Sequence, residues 1–295
     1  MIDRMWITLS VVVMAALGLH VVWQLRHGYP PANTPRVLCF HKLSRGFLWE
    51  GTWTTPERFE AMIERLLRSG YTFVDESSYL QALAHPGPDA AKQVFLTFDD
   101  GYADTIEEAH RILAPKNIPF HVFFVSDYAG RENSWDLSLG RRKHRHLTFE
   151  RVGELGRAGV TFGSHTASHT DATRLPYMAL LEDLQRSRRD IEAATGKPVR
   201  TLSYPFGRYN TSVLAAAREA GFEAAFSLYP KGSNAHVDPF ALRRDAVYVI
   251  DPVALVARKL ERNALYGLEE MKCRAINAVA VLTPLLKSSS ARGQD

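Results

Sequence analysis

The sequence contains little cysteine, and its charges nearly cancel. Two cysteines, Cys39 and Cys273, occur in 295 residues, too few and too far apart for a disulfide framework or a cysteine-based zinc site. Lys and Arg total 36 against 32 Asp and Glu, and a net charge of +4 does not predict nucleic-acid binding. With 19 Gly, 15 Pro and 46% hydrophobic residues, collagen and disordered chains are excluded. The length allows two small domains or one barrel-sized domain.

One long apolar run lies near the N-terminus. Residues 5–25 carry no Asp, Glu, Lys or Arg, and as a helix they would extend roughly 30 Å, enough to cross a bilayer. Trp6 and Trp23 suit the two membrane interfaces. A cleaved secretory signal is the alternative, but the run exceeds the usual ~7 to 15 apolar residues and no A-x-A site follows it. We predict a retained membrane anchor over 1–27 and a proline-rich linker over 28–35.

From residue 36 onward, short β-rich runs alternate with helical patterns. Continuous apolar strands separated by amphipathic helices predict a parallel sheet covered by helices, and seven or eight βα units favour a barrel over an open sheet. The fold class is therefore α/β, in a domain over 36–265. The strands are predicted at 37–40, 71–74, 94–98, 120–125, 160–162, 199–204, 223–227 and 246–250, with helices from 56 and near 104–114, 148–158, 177–194 and 210–220.

Two segments do not follow this alternation of strands and helices. The basic cluster GRRKHRH (140–146) could meet anionic lipid or glycan, but a solvated loop is favoured and no function is assigned to it. In the C-terminal part, 266–295, the apolar stretch 271–287 is too short to cross a bilayer, and Pro284 interrupts any helix there. We expect a helical segment that packs on the barrel or lies along the membrane surface, followed by a frayed tail.

Two adjacent carboxylates end one predicted strand. The run VFLTF leads into Asp99 and Asp100, and Gly101 can turn the chain. In βα folds, active sites lie at the carboxyl ends of the strands. Because neighbouring side chains on a strand point to opposite faces, we expect one acid to bind metal and the other to handle protons. Taken alone, the motif fits a helix cap and a turn residue equally well.

A histidine pair follows another predicted strand. His165 and His169 have the i, i+4 spacing that lets both imidazoles reach one ion if the segment makes a helical turn. Two histidines and one Asp give a mixed nitrogen and oxygen site with open positions, which is typical of catalytic metal sites. Such an ion polarises a carbonyl group and lowers the pKa of its bound water toward ~7. A non-haem iron oxygenase is a second possibility. The alternation of strands and helices disfavours it, because we expect such enzymes on an all-β scaffold.

These motifs resemble those of the polysaccharide deacetylases, also called carbohydrate esterase family 4 or NodB homology domain proteins. Thr97-Phe-Asp-Asp-Gly101 is similar to their first motif and His165-x-x-x-His169 to their second, and the similarity extends over 36–250. The resemblance implies a distorted (β/α) barrel of about seven parallel strands, with Asp99 as the catalytic base. It also implies one divalent ion bound by Asp100, His165 and His169: zinc, with cobalt, nickel or manganese as alternatives.

Two further roles come from the resemblance, at positions where this sequence departs from the usual pattern. Ser203-Tyr-Pro-Phe-Gly207 keeps the third motif's Pro-aromatic-Gly core but has Ser203 where many members carry an Arg that steadies the base. Arg244 matches a late Arg of one subgroup and takes that role, with Arg243 as the alternative. No late Leu-x-His motif is present, so His41, as in the circularly permuted poly-N-acetylglucosamine deacetylases, is the expected general acid. The alternative is that His41 is a packed core histidine.

Aromatic residues near these motifs are candidates for sugar binding. Tyr102, Trp135, Phe206 and Tyr209 could offer ring faces to sugars, or pack in the core instead. The backbone N–H of Tyr204 is the candidate oxyanion donor. The family's Asp-x-x-Trp motif is not evident, since Trp135 precedes its Asp here.

The predicted reaction is hydrolysis of an N-acetyl amide on an N-acetylglucosamine-type exopolysaccharide. Metal-bound water, deprotonated by Asp99, attacks the carbonyl, and His41 protonates the departing amine. Because such polymers lie outside the inner membrane, we expect a single-pass protein with its barrel on the extracytoplasmic side. The alternatives are a deacylase of a lipid-linked sugar at the membrane and a non-catalytic glycan-binding membrane protein; the sequence names no protein partner.

Overall fold

The computed structural model describes residues 34–48, 51–133, 143–228, 238–261 and 272. The predicted anchor at 1–27, most of the linker and nearly all of the segment 266–295 lie outside the described residues. Among the helices that are described, none combines the length and apolarity that a membrane crossing needs. At its one described position, the C-terminal segment touches the barrel, where Lys272 pairs with the buried Asp251.

Every strand pair in the described part of the chain is parallel. The strands are β1 Arg36–Phe40, β2 Lys42–Leu43, β3 Trp53–Thr54, β4 Thr72–Val74, β5 Gln93–Phe98, β6 His121–Phe124, β7 Thr161–Ser164, β8 Thr201–Ser203, β9 Ala224–Ser227, β10 Leu242–Arg243 and β11 Asp245–Ala246. The main sheet has the order β10-β9-β8-β7-β6-β5-β1-β11, with β4 beside the start of β5, while β2 and β3 form a separate pair.

The last two strands bring the sheet close to a closed barrel. β10 pairs with β9 and β11 pairs with β1, although only Arg244 separates β10 from β11. One short segment therefore joins both edges of the sheet. The predicted parallel α/β fold is confirmed, and the expected barrel is present as a near-barrel. The strand predicted at 246–250 is wrong in position, because the chain turns where the Asp251 carboxylate accepts the amide hydrogen of Tyr248 (2.8 Å).

Helices cover the outside of the strands. They are α1 Pro56–Arg68, α2 Glu76–Ala84, α3 Ala103–Leu113, α4 Phe149–Arg157, α5 Tyr177–Thr195, α6 Thr211–Glu219 and α7 Val256–Leu260, with 3-10 turns at Pro88–Lys92, Ala114–Lys116, Ser126–Tyr128, Ala172–Arg174, Pro205–Gly207 and Val253–Leu255. Side-chain oxygens cap several N-termini, for example Thr148 of α4 and Asn210 of α6. The sequence analysis missed α2, whose starting signal is the capping Asp75.

Aromatic rings fill the barrel interior beneath the candidate site. Phe95, Phe123 and Phe226 are fully buried, and the ring centroids of Phe123 and Phe226 lie 5.4 Å apart. The guanidinium of Arg244 lies 5.3 Å from the Phe123 ring centroid. This apolar floor excludes water from below, so charges at the carboxyl ends of the strands interact in a low-dielectric environment.

Candidate metal centre and active site

A tight turn at the end of β5 brings both adjacent carboxylates to one place. The amide of Asp99 still donates to the Phe40 carbonyl (2.9 Å), but Asp100 has φ 68° and Gly101 has φ 74°. The amide of Gly101 donates back to the Asp99 carbonyl (2.8 Å), which closes a three-residue turn. A Cβ on Gly101 would lie 2.5 Å from the Phe124 ring, so this position requires glycine. The turn realigns the carboxylates that a regular strand would have separated.

Asp100, His165 and His169 form a cluster that could hold one metal ion. Their candidate ligand atoms all lie within 4.8 Å of one another, and all three residues are buried. Oδ1 of Asp100 is 3.3 Å from Nε2 of His169 and 3.6 Å from Nε2 of His165. The structure therefore brings together the three residues that the sequence analysis assigned to the metal.

The segment between the two histidines is a loop and not the expected helical turn. Thr166 and His169 both have left-handed backbone conformations, with φ 65° and φ 55°. The carboxylate of Asp183, on α5, accepts hydrogen bonds from the amides of Ala167 (2.9 Å) and Ser168 (3.2 Å). The Thr166 hydroxyl accepts from the amide of His169 (3.0 Å). Side-chain acceptors, rather than helical hydrogen bonds, hold both imidazoles toward Asp100.

The protonation of the cluster suits a divalent cation. Nδ1 of His165 lies 2.8 Å from the Ser203 carbonyl, which can only accept, so Nδ1 carries the proton and Nε2 presents its lone pair. Burial lowers the pKa of His165 to about 4, so its ring is neutral at pH 7. Burial acts to raise the pKa of Asp100, but His169 and His165 hold it well below its usual range. One carboxylate and two imidazoles are a ligand set that zinc and similar ions accept.

Asp99 is held by a buried arginine. Nη1 and Nη2 of Arg244 donate to the two carboxylate oxygens at 2.6 and 2.8 Å, and Nη2 also lies 2.8 Å from the Ser203 hydroxyl. Burial acts to raise the pKa of Asp99, but the Arg244 guanidinium holds it well below the usual range. Arg243 instead faces Asp245 at 3.8 Å. Of the two arginines left open by the sequence, Arg244 is therefore the one that contacts Asp99.

His41 lies beside Asp99 at the end of β1. Its Nε2 is 3.8 Å from Oδ2 of Asp99, and the same oxygen is 3.8 Å from Nε2 of His165. The His41 side chain is 18% exposed, so it is not a fully packed core histidine. Cys39 lies below it, with Sγ 3.9 Å from Nδ1 of His41. This thiol is free and buried, and burial raises its pKa, so it is not a reactive thiolate.

Two of the aromatic residues expected to bind substrate lie inside the fold. The rings of Tyr102 and Tyr204 are 0% and 1% exposed, and the Tyr204 hydroxyl donates to the Phe240 carbonyl (2.9 Å). The amide of Tyr204, expected to bind the oxyanion, already donates to the Phe226 carbonyl (3.0 Å). Tyr204 packs in the apolar core and its amide pairs with β9, while the Tyr102 ring packs against buried histidines. Neither tyrosine can offer its ring to a sugar, which corrects these two assignments.

Phe206 remains at the site, whereas Trp135 lies outside the described residues. Phe206 is half-buried, and its ring centroid is 5.1 Å from that of His169. It has φ 59°, and its amide hydrogen has no acceptor within the described ranges. A strained residue whose amide has no acceptor among the described residues, beside the candidate metal ligands, is a stronger candidate oxyanion donor than Tyr204.

Comparisons with known proteins agree with this geometry. The family model for polysaccharide deacetylases matches residues 87–225. The chain is 26% identical over 215 residues to YxkH of Bacillus subtilis, covering 72% of this chain and 71% of YxkH. It is 24% identical over 199 residues to a poly-β-1,6-N-acetyl-D-glucosamine N-deacetylase of Staphylococcus aureus, covering 64% of this chain and 66% of that protein.

A solved structure shares the fold. The Streptococcus pyogenes deacetylase PplD, in complex with acetate, superposes with a TM-score of 0.67 at 19% identity, covering 77% of this chain and 98% of PplD. The family resemblance and the hydrolase class predicted from the motifs are confirmed. Over residues 87–225 the chain is therefore similar to the polysaccharide deacetylases, the family that its motifs resemble.

Proposed function

We propose that this chain removes N-acetyl groups from a polymer of N-acetylglucosamine, in a reaction that needs one divalent ion. The observation that carries the proposal is the placement of the Asp100, His165 and His169 cluster beside the arginine-bound Asp99. The similarity to the S. aureus enzyme, whose name specifies poly-β-1,6-N-acetyl-D-glucosamine, supports this polymer as the substrate class.

Asp100, His165 and His169 would hold the ion. When bound, it would act as a Lewis acid toward the acetamide carbonyl and lower the pKa of a water molecule toward ~7. Asp99 stays ionised at neutral pH and accepts a proton from the attacking water. The contact with Arg244 lowers the proton affinity of Asp99 and so makes this carboxylate a weak base. We propose that the same contact has a positioning role, because it holds Oδ2 of Asp99 in one orientation.

His41 would complete the reaction as the acid. As the carbon–nitrogen bond breaks, its imidazolium donates a proton to the leaving amine, giving acetate and a free amino sugar. We propose that the amide of Phe206 donates a hydrogen bond to the carbonyl oxygen and so stabilises the negative charge that develops on it. A crystal structure with bound acetate tests this role, because one carboxylate oxygen should lie within hydrogen-bonding distance of the Phe206 nitrogen and far from that of Tyr204.

The direct experiment measures acetate release from β-1,6-linked N-acetylglucosamine oligomers. We expect Asp99→Asn and His41→Ala each to lower kcat by about 100-fold or more, with metal content unchanged, because each removes a proton-transfer group. His110→Ala, a half-buried histidine on α3 away from the cluster, is the control and should keep wild-type turnover.

Three outcomes would contradict parts of the proposal. Full turnover by His41→Ala would remove the acid assignment but leave the metal cluster. Acetate release from a lipid-linked sugar and none from soluble oligomers would favour the membrane-substrate alternative. Glycan binding without hydrolysis at any metal supplied would make the protein a non-catalytic binder.

We further propose that the domain is tethered to the inner membrane through 1–27 and faces the extracytoplasmic side. The support is the apolar run at 5–25 and the location of acetylated amino-sugar polymers outside that membrane. A C-terminal fusion to a reporter that works only outside the cytoplasm tests the orientation. Signal from a cytoplasm-dependent reporter alone would contradict it.

A further inference from the structure

A segment that the sequence analysis left without a function lies against the turn that carries Asp100. The described end of the basic cluster runs from 143 to 146 and continues into Leu147. The amide of Leu147 donates to the Gly101 carbonyl (3.0 Å), and the amide of Ala103 donates to the Arg145 carbonyl (2.8 Å). Two backbone hydrogen bonds therefore fix this segment beside the Asp99–Asp100 turn, whatever side chains it carries.

His146 adds a third hydrogen bond, from its side chain. Its Nδ1 lies 2.9 Å from the backbone carbonyl oxygen of Asp100. Since a carbonyl can only accept, Nδ1 must carry the proton and donate. The ring is 1% exposed, and its centroid lies 4.7 Å from that of Tyr102 and 5.5 Å from that of Tyr128. Packing thus holds the donor in one orientation.

The hydrogen bond from His146 acts on a strained peptide. Asp100 has φ 68°, a conformation that costs energy for a residue other than glycine and persists only when its surroundings enforce it. The peptide that links Asp100 to Gly101 is held at both ends: its N–H donates to the Asp99 carbonyl, and its C=O accepts from His146. Rotation of this peptide would change the backbone at Asp100 and move its carboxylate away from His165 and His169.

We propose that His146 is a positioning residue that fixes Asp100 for metal binding. It is not itself a metal ligand in the cluster, and it acts through the Asp100 backbone. The inference rests on the proposed function, because it assumes that Asp100 binds the ion. Hydrogen-bonding partners that orient metal ligands are commonly worth 10- to 100-fold in metal affinity.

Two substitutions of His146 separate hydrogen bonding from packing. His146→Phe keeps a buried ring against the tyrosines but removes the donor. His146→Asn loses the ring but keeps an N–H at the position of Nδ1, since both nitrogens are two bonds from Cβ. The matched control is His144→Phe: His144 is also buried, and its ring also packs on Tyr102 at 5.4 Å, but its Nδ1 faces Asp104 at 3.1 Å.

The experiment titrates the metal-free full-length chain and its variants with Co²⁺, following the visible absorption of the bound ion, and records a thermal melt of each metal-free protein. We expect His146→Phe to weaken Co²⁺ binding by about tenfold or more and to alter the absorption bands, while His144→Phe binds as wild type. His146→Asn should bind Co²⁺ more tightly than His146→Phe even though it melts at a lower temperature.

Wild-type Co²⁺ affinity in His146→Phe would overturn the positioning role. Weaker Co²⁺ binding by His146→Asn than by His146→Phe would also overturn it, because Co²⁺ affinity would then follow the packing of the ring and not the hydrogen bond. Equal weakening in His144→Phe would overturn it too, since the effect would belong to the whole segment. If the wild-type chain binds no Co²⁺, the proposed metal-dependent function fails together with this inference, which distinguishes that case from the others.

Discussion

Arg244 supplies the contact to Asp99 that is expected from an Arg at the position of Ser203 in the third motif. The short Ser203 side chain leaves space in which the Arg244 guanidinium reaches both Asp99 oxygens and the serine hydroxyl. The two residues are far apart in sequence, and they meet because β8 and the β10–β11 segment both end near β5. The motif pattern could indicate that some arginine must support Asp99, but only the structure distinguishes Arg244 from Arg243.

Replacing Arg244 should be far more damaging than replacing its neighbour. Arg244→Met leaves the buried Asp99 carboxylate without its partner, and breaking a buried ion pair in this way costs about 3–5 kcal/mol in the free energy of unfolding. Arg243→Met removes a contact of 3.8 Å to Asp245 and should cost about 1 kcal/mol. Urea unfolding of both variants measures the difference. Equal losses would contradict the assignment of Arg244 to Asp99.

The residues that sequence analysis placed at the site share a local signal. Each of them comes soon after a predicted strand: His41, Asp99, Asp100, His165 and His169. Topology alone therefore brings them to one end of the barrel. His146 had no such signal, because its role depends on one contact to a backbone carbonyl. The exposure of Tyr102 and Tyr204 could not be predicted either, since an aromatic residue after a strand can face solvent or the core.

At the scale of elements, α5 supports the loop that carries the two histidines. The Asp183 carboxylate accepts from the amides of Ala167 and Ser168, and the Ser187 hydroxyl lies 2.8 Å from that of Ser164. From the i, i+4 spacing, the two imidazoles were expected to converge on one ion only if the segment made a helical turn. These contacts with a distant helix instead stabilise a loop with left-handed residues, and the sequence pattern holds no information on them.

Asp183→Asn tests this support. An amide can accept one hydrogen bond but presents an N–H₂ group to the other backbone donor, so one buried donor loses its partner at a cost of about 1–3 kcal/mol. We expect a lower free energy of unfolding in urea and weaker Co²⁺ binding, because the loop carries His165 and His169. Glu182→Gln, at an exposed position on the same helix, is the control. Unchanged Co²⁺ affinity in Asp183→Asn would contradict the role of α5.

At the scale of the whole molecule, repeated βα units made the parallel near-barrel predictable from residue patterns alone. The closure was less predictable, because β10 and β11 have two residues each and pair with strands at opposite edges of the sheet. Strands this short carry no periodicity. Arg244 lies between them and its side chain contacts Asp99, so the site and the closure of the barrel share one residue.

A buried carboxyl group outside the site should make the stability of the whole fold depend on pH. Glu76, at the start of α2, is 6% exposed, and the Thr201 hydroxyl donates to its Oε1 (2.6 Å). Burial raises its pKa from 4.5 to about 7. Between these two values the folded chain keeps a proton that the unfolded chain releases, so the free energy of unfolding falls as pH rises through this window and levels off above it.

The expected decrease from this group is at most about 3 kcal/mol. It should vanish in Glu76→Gln, which stays neutral at every pH, and persist in Glu64→Gln, whose side chain is 47% exposed. Urea unfolding of the three proteins at pH 4.5, 6 and 7.5 measures the effect. An unchanged pH dependence in Glu76→Gln would contradict the raised pKa.

We propose that amide hydrolysis by this chain depends on a single ion held by Asp100, His165 and His169. The most direct measurement strips the chain with a chelator, adds Co²⁺ in steps, and records acetate release from β-1,6-linked N-acetylglucosamine oligomers at each step. We expect no acetate release from the stripped protein and a linear rise that stops at one ion per chain. Release that survives complete removal of metal, or a rise that ends only at two ions per chain, would contradict it.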